Sequence, residues 1–100
     1  MLTGEIMNIR NENTDKFFDA ILSLENKDEC ALFFDDICTI KEVQDIVQRY
    51  QVATLLAKGL NYNEISSITG ASSATITRVN KCLNYGNGGY KLVLERTENE

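Results

Sequence analysis

Apolar positions recur along the chain at three- and four-residue steps, proline is absent and no alternating run of β-branched residues occurs. The pattern predicts helix throughout and an all-α fold. Thr14 can cap a first helix that gathers Phe17, Phe18, Ile21, Leu22 and Leu24 on one face. Asn26, with Glu29 three residues on, starts a second through Ala31, Leu32, Phe34 and Ile37. Thr39 and Glu42 then form a capping box, because hydroxyl and carboxylate each accept from one free N–H. The long helix that follows carries Val43, Ile46, Val47, Tyr50, Ala53 and Ala57, joined by Leu55 and Leu56, and ends at Lys58 with Gly59 as a left-handed terminator. At about 20 residues it spans about 30 Å. A helix of that length, apolar on more than one side near its end, is hard for one chain of 100 residues to cover. A dimer is therefore expected, the alternative being that the two N-terminal helices wrap it within one chain.

The stretch from Leu60 to Leu83 reads as a helix-turn-helix. Asn61 can cap a helix over Tyr62 to Thr69, Gly70 breaks it, and Ser72 caps the next helix to about Tyr85. Two helices crossing at so short a turn need a permissive turn residue, small residues at the crossing and apolar inner faces. Gly70 meets the first requirement, Ser66 and Ala71 the second, and Ile65, Ile68, Ile76 and Val79 the third. The outward face of the second helix is Ser72, Ser73, Ala74, Thr75, Thr77, Arg78 and Lys81, all small, hydroxylic or cationic, with no carboxylate. Short side chains permit close approach to a groove, hydroxyls bond phosphates or base edges, and Arg78 can address guanine or phosphate with two parallel donors. The plainer alternative is a helical hairpin whose polar face meets water. Beyond it, NYGNGGY reads as a C-cap and turn and fits no phosphate-binding loop. Tyr90, Leu92, Val93 and Leu94 supply a short closing helix or packed segment, for about six helices in all.

Composition narrows the chemistry. The net charge of −5 argues against phosphate contacts, yet the charge is uneven: residues 1–57 carry 5 basic and 11 acidic side chains, and residues 58–96 carry 5 basic and 2 acidic. One acidic half and one basic segment point to a localised anion-facing surface. With no histidine, the commonest metal ligand and the usual neutral-pH general base are missing. No nucleophile, base and electrophile sit at interpretable spacing, so no enzyme, no metal site and no cofactor are expected. Cys30, Cys38 and Cys82 form no CxxC pair and read as small buried hydrophobes in a reducing compartment. Phe33 and Phe34 read as core rather than a ligand box. Apolar stretches such as Cys30 to Phe34 fall far short of the ~20 residues of a membrane span. No signal peptide is readable at the N-terminus, which makes a cytoplasmic location the default.

These residues carry a resemblance. Leu55 to Leu83, LLAKGLNYNEISSITGASSATITRVNKCL with its GAxxATITR core, resembles the DNA-binding region of the tryptophan repressor superfamily. The ending NKCLNYGNGGYKLVLER, residues 80–96, is similar to the TrpR-like YerC/YecD branch. The resemblance implies a bacterial transcriptional regulator, an all-helical, intertwined homodimer presenting one helix-turn-helix per subunit. It places the start of the recognition helix at Ser72 and Ser73, and Ala74, Thr75, Thr77 and Arg78 on the DNA-proximal ATITR motif. The corepressor pocket transfers poorly. The glycine that follows ATITR in tryptophan repressors is Val79 here, the serine three residues later is Cys82, and the pocket's arginine on the long helix is replaced by Gln48. Arg49, next to it, points about 100° away in a helix. Of that pocket only Arg78 survives, so tight tryptophan binding is not expected.

One domain is expected, with a frayed arm over residues 1–13, a helical dimerisation body over 14–58, the helix-turn-helix over 61–83, a packing segment over 84–96 and a frayed end over 97–100. The expected function is repressor-like, sequence-specific binding of a near-palindromic double-stranded DNA operator, through Lys58, Ser72, Ser73, Ala74, Thr75, Thr77, Arg78 and Lys81. Gln48, Arg49, Arg78, Val79 and Cys82 would line an effector pocket. The rival expectation is a dimeric protein-interaction module or effector sensor that does not itself bind DNA.

Overall fold

The computed structural model describes residues 9–98, which form six helices and, among the described residues, no strand. The helices are α1 (Glu12–Leu22), α2 (Lys27–Ile37), α3 (Ile40–Ala57), α4 (Tyr62–Thr69), α5 (Ser73–Tyr85) and α6 (Gly89–Glu98). The chain divides into two compact units, Met1–Val43 and Gln44–Glu100.

In the first unit Asn11, rather than Thr14, caps α1. Its backbone is extended (φ −155°, ψ 179°), its side-chain oxygen accepts from the Thr14 N–H at 2.9 Å, and the Thr14 hydroxyl accepts from the Asn11 N–H at 2.8 Å. Thr14 is thus the third helical position of a capping box. Asn26 caps α2 by accepting from the Glu29 N–H at 2.9 Å. Before α3, Glu42 accepts from the Thr39 N–H at 2.8 Å and the Thr39 hydroxyl from the Glu42 N–H at 3.1 Å. The bond from the Thr39 backbone holds the Glu42 carboxyl below its ordinary value. Its contribution to the helix start is therefore present above the ordinary carboxylate range and lost as pH falls through that lowered value. Phe17 and Phe33 join α1 to α2, with ring centroids 6.0 Å apart, and Phe33 meets Phe34 edge-on at 5.7 Å. Neither α1 nor α2 buries a single residue in this chain.

The second unit holds the core. Val52 and Ala53 of α3, Ile65 of α4, Ala71 of the turn, Ile76 and Val79 of α5 and Leu94 of α6 are buried together. Leu55, Leu56, Leu60, Leu83 and Tyr90 pack on them. From Gly89 the chain is helical, so the closing element is the short helix of the two expected forms, α6. It is tied through Thr97, which bonds the Tyr50 hydroxyl at 3.4 Å. Ile68, expected on the inner face of α4, is 56% exposed. The inward position one turn after Ile65 is Thr69 instead, whose hydroxyl donates to the Ile65 carbonyl at 2.8 Å and accepts from the Ala71 N–H at 3.1 Å. The three cysteines are not buried: Cys30 and Cys82 are exposed and Cys38 is intermediate, since α2 buries nothing and Cys82 lies on a cavity wall. Within the stretches expected as an N-terminal arm and a C-terminal end, α1 starts at Glu12 and α6 runs to Glu98. Residues 1–8, 99 and 100 lie outside the described residues.

Candidate nucleic-acid interface

The helix-turn-helix is assembled by local chemistry. Asn61 and Glu64 form a reciprocal capping box at the start of α4, both bonds measuring 2.9 Å. Removing that side-chain acceptor by Asn61→Ala is expected to cost about 1 kcal/mol, read as a lower urea midpoint at unchanged slope. Gly70 ends α4 in the left-handed region (φ 74°, ψ 4°), with its N–H donating to the Ser66 carbonyl at 2.8 Å. The chain then turns through buried Ala71, whose carbonyl accepts from the Ser66 hydroxyl at 2.9 Å. A side chain at 70 meets nothing within 4 Å. Gly70→Ala is therefore expected to cost about 1 kcal/mol through backbone strain alone, measurable as a small fall in the thermal midpoint.

Ser72 caps α5 by accepting from the Thr75 N–H at 3.2 Å. From this start the 100° step per residue sends Ile76 and Val79 into the core and Ser73, Ala74, Thr77, Arg78 and Lys81 to the surface. Thr75 is intermediate. Lys58 is exposed just beyond the end of α3, where Gly59 takes φ 89°. None of Lys58, Arg78 and Lys81 has an ion-pair partner among the described residues. Of the residues nominated for DNA contact, Ser73, Ala74, Thr77, Arg78 and Lys81 thus form one exposed, carboxylate-free face on α5, with Ser72 at its cap, Thr75 half-buried and Lys58 at a separate exposed turn.

The residues nominated for an effector pocket are not all brought together. Arg49 and Cys82 line a cavity of about 660 Å³ with Ile46, Tyr50, Asn87 and Tyr90. Gln48 points elsewhere, its amide donating to the Thr69 carbonyl at 3.2 Å. Val79 is 2% exposed within the core, and Arg78 lies on the outer face. Ile46, Tyr50, Asn87 and Tyr90 were not singled out for the cavity from the sequence. The spacing of Ile46, Arg49 and Tyr50 at i, i+3 and i+4 puts all three on one face of α3 and is the signal that could have found them.

An all-helical unit that presents an N-capped, cation-bearing second helix across a glycine turn defines the helix-turn-helix class of protein. The Trp repressor protein family matches residues 12–98, and this chain belongs to it. The "Uncharacterized protein YerC" of Bacillus subtilis is 48% identical over 94 residues, covering 94% of this chain and 90% of that protein. Two crystal structures are also similar. One, titled as a "putative Trp repressor" from Staphylococcus aureus, has a TM-score of 0.89 at 46% identity and 95% coverage of both chains. The other, a TrpR like protein from Eubacterium eligens, has a TM-score of 0.88 at 46% identity, covering 91% of this chain and 94% of that one. The family is generally one of DNA-binding regulators rather than enzymes. No helix of the described residues is long and apolar enough to cross a membrane.

Proposed function

We propose that the chain is a cytoplasmic, repressor-like transcriptional regulator that binds a near-palindromic operator as a homodimer through residues 61–83. The observation that carries this reading is the exposed face of α5, where Ser73, Ala74, Thr77, Arg78 and Lys81 stand free of any carboxylate on a helix held from behind by Ile76 and Val79. Phosphate contacts come from Lys58, Arg78 and Lys81, base-edge contacts from Arg78 and the hydroxyls of Ser72, Ser73, Thr75 and Thr77, and Ala74 allows close approach. With so few cations, affinity for random DNA is weak and strongly salt-dependent, and specificity rests on helix docking and paired half-sites.

Homodimerisation is supported by what the N-terminal helices leave open. Leu22 is 80% exposed, Leu32 70% and Ile40 73%, although α1, α2 and the start of α3 hold these apolar side chains in an ordered arrangement. A second copy, intertwined as in the family, is the cover that the apolar area calls for. Sequence selection from random or genomic DNA at fixed salt is the test. The expected result is a near-palindrome with half-sites about 34 Å apart, bound by a dimer in sedimentation. A monomer, or no enriched sequence, overturns the reading.

A second reading, a helical interaction module that acts on a protein and not on DNA, is favoured by the net charge of −5. One captured protein partner with no retention on genomic DNA decides for it. Whichever reading holds, the cavity beside Arg49 and Cys82 is the place for an effector, and tryptophan is not that effector. The resemblance to tryptophan repressors puts a glycine against the indole where this chain has the buried Val79, and an arginine where it has Gln48, which is turned to the Thr69 carbonyl. Titration calorimetry with tryptophan is expected to show no low-micromolar binding.

A further inference from the structure

The link between α5 and α6 is three residues long, Gly86 to Gly88, and contains the one Asn-Gly pair of the sequence. Asn87 is exposed and outside any helix, and its carboxamide has no hydrogen-bond partner among the described residues. The Gly88 N–H also donates to nothing among them, while Gly88 sits at φ 91° with no atom within 4 Å of where a Cβ would stand. No other asparagine of the sequence precedes a glycine, and several are also held by hydrogen bonds. Asn11, Asn26 and Asn61 are held as caps, and Asn84 donates to Asn80 at 2.9 and 2.8 Å. Each of these four is followed by a residue with a bulky side chain.

We propose that Asn87 is a built-in deamidation site, at which the folded protein exchanges a side-chain amide for a carboxylate on the wall of the cavity that holds Arg49. The reactants are the chain itself and water. The Gly88 nitrogen, losing its proton, attacks Cγ of Asn87; the Cγ–Nδ2 bond breaks and ammonia leaves with that proton, closing a five-membered succinimide. Water then opens the ring at either carbonyl. Opening at Cγ gives aspartate, opening at the main-chain carbonyl gives isoaspartate, and Gly88 recovers its N–H in both. The balance is one ammonia lost and one water gained, with no oxidant or reductant.

Geometry makes the product tolerable as well as accessible. Position 87 precedes α6, whose first-turn N–H groups favour a negative charge. The same side chain shares its cavity with the Arg49 guanidinium. Glycines on both sides of Asn87 let the link adopt the closed form needed for attack. The isoaspartyl form adds a methylene to the main chain just before the bond from the Leu92 N–H to the Gly88 carbonyl, 2.9 Å, that opens α6.

The full chain, incubated at mildly alkaline pH and followed by intact mass and peptide mapping, is expected to gain one dalton at Asn87. The gain should be faster at higher pH and no more than several-fold slower than in urea-unfolded protein. Asn87→Gln, with helicity checked by circular dichroism, is expected to remove the gain, and Gly88→Ala to slow it at least tenfold. If folded protein keeps the Asn87 amide while urea-unfolded protein loses it, or if the gain maps to another asparagine, the inference falls.

Discussion

Arg78→Ala is expected to lower affinity for the selected operator by about 5- to 150-fold, equivalent to about 1–3 kcal/mol, and to leave the unfolding midpoint where it was. Both halves of the expectation follow from the surroundings of one side chain. The guanidinium is exposed on α5, with no ion-pair or hydrogen-bond partner among the described residues, so its removal strands no buried group. Its loss is felt only where a partner supplies acceptors in a plane, as guanine and phosphate do. Lys81 is the control. As a point charge one turn further along the same exposed face, its replacement by alanine weakens operator and random DNA alike and reduces the salt slope by about 1. Equal binding of wild type and the Arg78 variant to the operator would remove the recognition role from this face.

The parts of the fold that could be read from the sequence are those in which one residue type does something its neighbours cannot. Asn61, Gly70 at φ 74° and Ser72 stand where the sequence placed them, because caps and left-handed turns are satisfied within a few residues. Reading failed where two nearby residues could each fill one position. Asn11 and Thr14 lie three apart and each can cap; the backbone chose Asn11, and Thr14 returns the bond. Ile68 and Thr69 compete for the inner face of α4, and hydropathy favours the wrong one. Thr69 wins by satisfying the Ala71 N–H and the Ile65 carbonyl. The cavity was the least legible. Whether Gln48 or Arg49 faces it is a matter of about 100° of helix register, set by how α3 packs in three dimensions and not by either side chain. The cysteines were misread for a related reason: their usual burial is an average over whole assemblies, and α2 buries nothing in one chain.

Ile76→Ala has the largest expected effect on stability, about 2–5 kcal/mol, because it removes a side chain of zero exposure from a core of few members. In a domain of this size each kcal/mol moves the thermal midpoint by about 4–8 °C, so the shift is large enough to read in a single melt. Midpoints must be compared at equal protein concentration, since a homodimer's stability depends on it. Ile76 stands two residues before Arg78, which places them about 200° apart on α5, one turned to the core and the other to solvent. The pair therefore separates folding from recognition on a single helix. The Ile76 variant should lose operator binding only as it unfolds, recovering it on cooling, whereas the Arg78 variant should lose it while fully folded. Ile76→Val, which removes one methyl and leaves the branched shape, should fall between wild type and alanine at about 0.5–1.5 kcal/mol. An alanine variant that melts with the wild type would mean that α5 is not held from behind by this core. The presentation of Arg78 and Lys81 to a groove would then need another explanation.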